Sequence, residues 1–258
     1  MPSRFLLAIL GIAILAPAFW AGSAVAEEST GQVQPIEIKL GEDGQAPRVS
    51  ATLGMLATMT ALAFIPMLLV MTTSFARIII VLGFLRQALS TQQTPPNIVL
   101  IGISLFLTVF IMGPVFDRMH RDGLDPYLKG KATPTEALQK GLKPLREFMA
   151  QQTHKKDLAL TLELSHAGQP RDLDDVPTTT LIPAFMLSEL RTAFQMGFLL
   201  FLPFLVIDLV VGSVLLSMGM IMLPPVMISL PLKLLLFVLA DGWYLVVRSL
   251  VASFAASG

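Results

Sequence analysis

Apolar residues are concentrated in two long segments, at residues 53–116 and 182–258, with a polar stretch at residues 117–181 between them. Each apolar segment is far longer than the roughly 20 residues that one bilayer-spanning helix needs. Prolines inside the apolar runs, including Pro66 and Pro203, predict kinks in the helices. The pattern therefore predicts an all-α integral membrane protein made of two kinked helical hairpins.

The polar stretch at residues 117–181 carries its own helix signals. Thr133-Pro134-Thr135-Glu136 has the order of a helix start, in which Thr133 caps the helix, Pro134 takes the first position and Glu136 completes a capping box. Ten basic and ten acidic residues balance each other between positions 117 and 180, which is typical of a solvated surface. We therefore predict a small helical insert between the two hairpins.

The amino-terminal 26 residues have the layout of a secretory signal peptide. Arg4 supplies a positive start, residues 5–16 form an apolar core, and Ala24-Val25-Ala26 fits the small-residue rule for cleavage between Ala26 and Glu27. A first transmembrane anchor is the alternative, but the core is short and Pro17 interrupts it. Cleavage leaves residues 27–52 as a flexible periplasmic lead-in and predicts that the insert is periplasmic as well.

The second hydrophobic segment contains an uncharged linker at residues 216–225, here called the methionine loop. Met218, Met220 and Met222 recur at every second position, so an extended segment would direct all three side chains to one side. Gly219 and the Pro224-Pro225 pair oppose an uninterrupted helix. We interpret this loop as the candidate functional element; the alternative is that its methionines merely fill the tip of a hairpin.

Charged residues inside the hydrophobic segments, or at the entry to the second, are candidates for buried or intersubunit contacts. They are Arg77, Arg86, Glu189, Arg191, Asp208, Lys233 and Asp241. Membrane-embedded charges are costly unless they are paired. Arg77 and Arg86 mark either the cytoplasmic end of a helix or a specific contact between helices or subunits.

Helix geometry predicts how two of these charges pair. Counted from the turn near Leu223, Asp208 lies several ångströms farther down its helix than Lys233 does down the other. The two residues are therefore expected at different levels within one hairpin. The offset predicts that they pair between neighbouring subunits, and that the buried charges hold subunits together.

Composition narrows the class of function. The chain is 54% hydrophobic and only 14% charged, with zero net charge and no cysteine, whereas soluble domains are typically about 25% charged. The neutral balance gives no basic surface for nucleic acid, and the missing cysteines exclude disulfides, thiolate zinc sites and a cysteine nucleophile. No phosphate-binding loop, serine elbow or zinc-helix motif occurs. The sequence therefore indicates no cofactor and no metal, and the spacing of His120, His154 and His166 matches no metal motif.

Two rival functions rest on the intramembrane aspartates. A proton-coupled carrier could use Asp208, because intramembrane acids often mark proton paths. An intramembrane aspartyl protease would need Asp208 and Asp241 to share a proton as a close pair. The carrier is the stronger rival, although the chain lacks the internal repeats that many carriers show.

Several long strings of the sequence resemble the FliP proteins of the bacterial flagellar export apparatus. The strings are FARIIIVLGFLRQAL from Phe75, TQQTPPN from Thr91, SELRTAFQMG from Ser188, IDL from Ile207 and MGMIMLPP from Met218. The resemblance runs from about residue 53 to the end of the chain. Export-gate subunits of virulence injectisomes share this core, but the signal peptide and polar lead-in look more like the flagellar branch.

The resemblance implies a non-enzymatic subunit without a cofactor. FliP proteins form a pentameric ring, which with FliQ and FliR builds a helical export gate in the bacterial inner membrane, alongside FlhA and FlhB. The gate belongs to the flagellar basal body, reaches the periplasmic side and passes unfolded flagellar proteins out of the cytoplasm. By resemblance, Met218, Met220 and Met222 belong to the gate loop that seals the closed pore. The family commonly has three successive methionines there, and Ile221 interrupts them in this chain.

Overall fold

The computed structural model describes residues 59–60, 62–165, 175–220 and 222–255. All of them lie in one compact unit, Met55–Gly258. The predicted signal peptide, the cleavage site between Ala26 and Glu27, the lead-in, His166 and Ile221 lie outside the described residues.

The described part of the chain is built from helices. They are α1 (Leu62–Thr72), α2 (Phe75–Ala88), α3 (Asn97–Met119), a π-helical turn (His120–Leu124), α4 (Asp125–Leu128), α5 (Pro134–Gln152), α6 (Lys155–Leu164), α7 (Thr178–Ser217), α8 (Pro225–Leu239) and α9 (Gly242–Ala255). The run Asn97–Leu128 and α7 are each long and apolar enough to cross a membrane. Two further pairs pass the same test as bent spans, with α1 and α2 at 67° and α8 and α9 at 65°. The predicted all-α membrane fold is confirmed.

The first bent pair does not break at the proline. Pro66 lies within α1, and the helix ends only at Thr72. The hydroxyls of Thr72 and Thr73 donate to the carbonyls of Leu68 and Leu69 at 2.8 and 2.7 Å. These hydroxyls hydrogen-bond carbonyl groups at the end of the helix, which is a known cause of bending.

The second bent pair lies in the part of the second hydrophobic segment that follows the methionine loop. Its break lies at Asp241, whose φ of 50° is in the left-handed region. The next residue must be small, because a Cβ on Gly242 would lie 2.2 Å from the Phe237 ring. The Asp-Gly dipeptide inside an apolar run is the sequence signal for this break.

Helix α2 lies at the centre of the hydrophobic core and packs mainly on α7 and α3. Its side chains Ile78, Val81, Leu82 and Leu85 are buried. The close contact with α7 depends on Gly197, since a Cβ at that position would lie 2.4 to 3.0 Å from atoms of the Phe84 side chain.

The helical insert contains α5 and α6. The capping box predicted at the start of α5 is confirmed: the Thr133 hydroxyl accepts a hydrogen bond from the Glu136 N–H at 3.3 Å, and the Glu136 carboxylate accepts one from the Thr133 N–H at 3.1 Å. The hydrogen bond from the Thr133 backbone lowers the pKa of Glu136. The capping box is therefore fully formed at pH values above the usual pKa of glutamate, and it is lost as the pH falls through the lowered pKa of Glu136.

Replacing Gly197 with alanine tests the contact between α2 and α7. We expect Gly197→Ala to lower the free energy of unfolding by about 1–3 kcal/mol, because the added methyl group displaces Phe84. Gly102→Ala is the matched control, since open space surrounds that helical position and alanine is the better helix former. Thermal unfolding of the purified full chain in detergent measures both. Equal stability of the two variants contradicts the close packing at Gly197.

Candidate functional site

The methionine loop begins as a capped helix end. Helix α7 stops at Ser217, and Gly219 adopts a φ of 73°. The N–H groups of Gly219 and Met220 donate to the carbonyls of Leu216 and Leu215, both at 3.0 Å, which is the Schellman arrangement. Glycine suits this position because it adopts a left-handed backbone without steric cost.

The loop places methionine side chains on the surface of the chain. Met222 is 97% exposed, Met218 67% and Met220 37%. Met218 still has the helical cap conformation, with φ −82° and ψ 1°, so the three residues do not lie on one extended segment as the period of two predicts. Met227, in the first turns of α8, is exposed as well. Met227 lies in a helix and outside the alternating series of Met218, Met220 and Met222, so the sequence pattern did not single it out.

Asp208 of α7 and Lys233 of α8 form an ion pair within one chain. Lys233 is 1% exposed, and its Nζ donates to Asp208 Oδ2 at 2.6 Å and to Ser90 Oγ at 2.8 Å. The hydroxyl of Ser229 donates to Asp208 Oδ1 at 2.6 Å. This network joins α7, α8 and the turn after α2 beneath the methionine loop.

The prediction that Asp208 and Lys233 lie at different levels of the hairpin is therefore wrong. It took the turn near Leu223 as the end of both helices, whereas α7 ends at Ser217 and α8 begins at Pro225. Asp208 lies nine residues from its helix end and Lys233 eight residues from its own, which correspond to about 14 and 12 Å. The two side chains thus stand at the same level.

A second buried network is centred on Arg77. Its Nε donates to Glu189 Oε2 at 2.9 Å, and its Nη2 pairs with the other oxygen of the same carboxylate. Nη1 donates to Ser253 Oγ and Nη2 to Gln152 Oε1, both at 3.0 Å. The guanidinium carbon lies 3.8 Å from the centre of the Phe254 ring. The network joins α2, α5, α7 and α9, so Arg77 makes a specific contact between helices.

A third network holds α6 against α7. The buried Asp157 accepts hydrogen bonds from the Ser188 hydroxyl at 2.8 Å and from Arg191 at 2.7 Å. The backbone N–H of His154 donates to Ser188 Oγ at 2.9 Å. Arg191, predicted as a candidate for contacts between subunits, binds the insert of its own chain in this way.

The remaining predicted charges occupy bends of the chain. Arg86 donates to Asn97 Oδ1 at 2.6 Å and to the Pro95 carbonyl at 3.3 Å, across the turn between α2 and α3. Asp241 is exposed at the break between α8 and α9, where its carbonyl accepts the Leu245 N–H at 3.1 Å. Both oxygens of Asp208 accept hydrogen bonds from other donors, so the structure gives no support for a proton shared between Asp208 and Asp241.

Sequence reasoning missed the neutral partners in these networks. They are Ser90, Gln152, Ser188, Ser229 and Ser253, together with the acid Asp157. Serine and glutamine are common in helices without any such role, so no pattern singled them out. Ser229 lies one helical turn before Lys233 on the mainly apolar helix α8, and this spacing is a signal that the sequence did contain.

Loss of Glu189 tests the Arg77 network. We expect Glu189→Ala to lower the free energy of unfolding by about 3–5 kcal/mol, because it leaves a buried guanidinium without its carboxylate. Glu147→Ala is the control: Glu147 pairs with Arg118 at 3.1 Å, and both side chains are partly exposed, so that loss should cost below about 1 kcal/mol. Thermal unfolding of the purified chain measures both, and a Glu189 effect as small as the control would contradict the role of this network.

The model of the FliP family matches residues 58–250. The flagellar biosynthetic protein FliP of Bacillus subtilis is 51% identical over 217 residues, which cover 84% of this chain and 98% of that protein. The protein of the same name from Caulobacter vibrioides is 48% identical over 244 residues, covering 94% of this chain and 88% of its own. That of Pectobacterium carotovorum is 47% identical over 252 residues, covering 97% and 93%. This chain belongs to the FliP family.

Proposed function

We propose that this chain is the pore-forming core subunit of the flagellar type III export gate, which passes unfolded flagellar proteins out of the cytoplasm. The observation that carries the proposal is the hairpin of α7 and α8, which presents Met218, Met220 and Met222 at its tip. The Asp208–Lys233 pair braces the hairpin beneath that tip. The family and the names of the relatives place the chain in flagellar biosynthesis, and this favours the flagellum over an injectisome.

Methionine suits a seal that must open for many different polypeptides. Its side chain is unbranched, flexible and polarisable, so it packs closely in the absence of a substrate and repacks around any sequence. A narrow apolar ring also excludes ions, because water leaves a constriction of this kind. The uncharged composition of the methionine loop meets both requirements.

Assembly into a ring would cover apolar surface that one chain leaves exposed. Side chains along the outer face of α7 are exposed, among them Phe194, Phe198, Leu199, Leu209 and Val210. The Asp208–Lys233 and Arg77–Glu189 pairs are made within one chain, so contacts between copies would use these apolar faces. In this proposal the neighbours are further copies in a pentamer, the FliQ and FliR subunits, and the membrane proteins FlhA and FlhB.

The structure gives the proton carrier little support. A carrier needs an acid that binds and releases a proton during each cycle. The carboxylate of Asp208 accepts hydrogen bonds from Lys233 and Ser229 at 2.6 Å each. Both oxygens of this carboxylate are therefore held by donors of the same chain, in a contact that braces the hairpin of α7 and α8.

Replacing Met218, Met220 and Met222 together with alanine tests the seal. We expect the complex to assemble in normal amounts and to leak small ions several-fold faster, because the shorter side chains leave a gap on the pore axis. The matched control replaces the same three residues with leucine, which preserves apolar volume and should keep the resting membrane tight. Conductance is compared at equal amounts of assembled complex. A tight membrane with the alanine variant, or a lower yield of complex without leakage, would show that the methionines only fill the hairpin tip.

Replacing Asp208 tests how the hairpin is braced. Asp208→Ala leaves the buried Lys233 ammonium with Ser90 alone, and we expect the purified chain to lose up to about 3–5 kcal/mol of stability. Ser90→Ala removes one neutral partner and should cost about 1 kcal/mol. The double variant Asp208→Leu with Lys233→Met removes both charges and should recover most of the loss. If Asp208→Ala leaves the stability of the chain unchanged but prevents assembly, the charge acts between subunits instead.

A further inference from the structure

The methionine loop concentrates thioether sulfurs in one short turn. Met218, Met220 and Met222 lie within residues 218–222, so consecutive members of the series are separated by at most about 7 Å between their Cα atoms. Each sulfur stands at the end of an unbranched and flexible stem. Side chains of this length bring their sulfurs together across such a spacing.

The turn at the end of α7 keeps the first two methionines close to each other. Gly219, between them, has the left-handed φ of 73°, and the Met220 N–H donates to the Leu215 carbonyl at 3.0 Å. The chain is thereby bent back over the last turn of the helix. The side chains of Met218, Met220 and Met222 are all exposed, so packing within the chain does not fix the direction of their sulfurs.

The loop offers no harder side-chain ligand in competition with sulfur. Residues 182–258 contain neither histidine nor cysteine, and the loop has no carboxylate. Its single hydroxyl, that of Ser217, donates to the Val214 carbonyl at 2.7 Å. Asp208 lies about 14 Å down α7 from the end of the helix, and both of its oxygens accept hydrogen bonds inside the hairpin. The side-chain ligands at the tip are therefore thioethers.

A ligand set made of thioethers selects metal ions by their softness. Neutral, polarisable sulfur favours Cu(I), whereas Mg²⁺ and Ca²⁺ prefer oxygen ligands. Zinc sites are built from thiolate, imidazole and carboxylate groups. Sequence motifs for metal sites rest on histidine, cysteine and carboxylates, and the part of the chain that the structure describes has no group of three such residues that could hold a metal. A thioether series falls outside those motifs.

We propose that the methionine loop binds one soft monovalent cation, Cu(I), through the thioethers of Met218, Met220 and Met222. The turn at Gly219 supplies two of the sulfurs from neighbouring positions, and Met222 supplies the third from the other side of the loop. The site is formed within one chain. It therefore goes beyond the proposed seal and does not depend on assembly of the gate.

Silver titration of the purified full chain in detergent tests the site. Ag(I) is the probe because it is as soft as Cu(I) and is stable in air, and the buffer contains no chloride. We expect native mass spectrometry to show one Ag(I) bound per chain. The double variant Met218→Leu with Met222→Leu should lose this ion, because leucine preserves apolar volume and has no sulfur. The matched control is Met59→Leu with Met67→Leu, which removes two exposed thioethers elsewhere in the chain and should keep the ion.

X-ray absorption at the copper edge identifies the ligands in the unaltered chain. The chain is loaded with Cu(I) without oxygen, with ascorbate as a reductant that contains no sulfur. We expect sulfur atoms alone as the nearest neighbours of the metal. Nitrogen or oxygen atoms as nearest neighbours would place the ion elsewhere and overturn the proposal. This measurement needs no variant, so it decides the question even if the leucine variant does not fold.

Three results of the titration would also overturn the proposal. The first is no Ag(I) beyond the amount carried by empty micelles. The second is equal loss in both double variants, which indicates weak binding to any exposed methionine. The third is equal affinity for Zn²⁺, which indicates ligands other than thioethers. Thermal unfolding without metal checks that each variant is folded, and Ag(I) should raise the unfolding temperature of the unaltered chain alone and of the control, since a ligand of the native state stabilises it.

Failure of this site and failure of the seal are distinguishable. The titration uses the isolated chain, whereas the test of the seal measures conductance through the assembled complex. A chain that binds Ag(I) in a complex that stays tight with alanine at the three positions would retain the metal site and lose the seal. The opposite pair of results would retain the seal and remove the metal site.

Discussion

The buried pair of Arg77 and Glu189 is the interaction on which the arrangement of the helices depends. A guanidinium and a carboxylate without access to water destabilise a protein unless each is satisfied by its partner and by further hydrogen bonds. Here the remaining donors of Arg77 reach Gln152 and Ser253, and the Phe254 ring covers the guanidinium. These contacts come from four separate helices, so each helix must be in place for the charge to be tolerated.

The hairpin of α7 and α8 also contains a buried charge that needs partners, and this charge lies closer to the methionine loop. Lys233 is buried, and it is satisfied only when Asp208 and Ser90 stand at its own level. The register of the two helices is therefore fixed about 12 to 14 Å from the tip. A fixed base with an uncharged tip allows the exposed methionines to change rotamer without moving the helices, which suits the proposed seal.

The main buried ion pairs are made within the chain. The surface that remains for contacts with other molecules is therefore largely apolar. The outer face of α7 presents exposed phenylalanine, leucine and valine side chains over several turns, and apolar helix faces in a membrane associate mainly through van der Waals packing.

The sequence by itself determined the fold class, the two hydrophobic segments and the helical insert, because long apolar runs and the capping box at Thr133 act locally. It also identified the methionine loop and the charges that needed partners. Tertiary structure alone decided which partner each charge has. The levels of the side chains depend on where the helices break, at Thr73 and Asp241, and on where α7 ends, at Ser217. Because α7 ends a few residues before the predicted turn near Leu223, Asp208 and Lys233 stand at the same level and pair. Neutral partners such as Gln152 and Ser90 become recognisable only in the fold, because their contacts join residues that lie far apart along the chain.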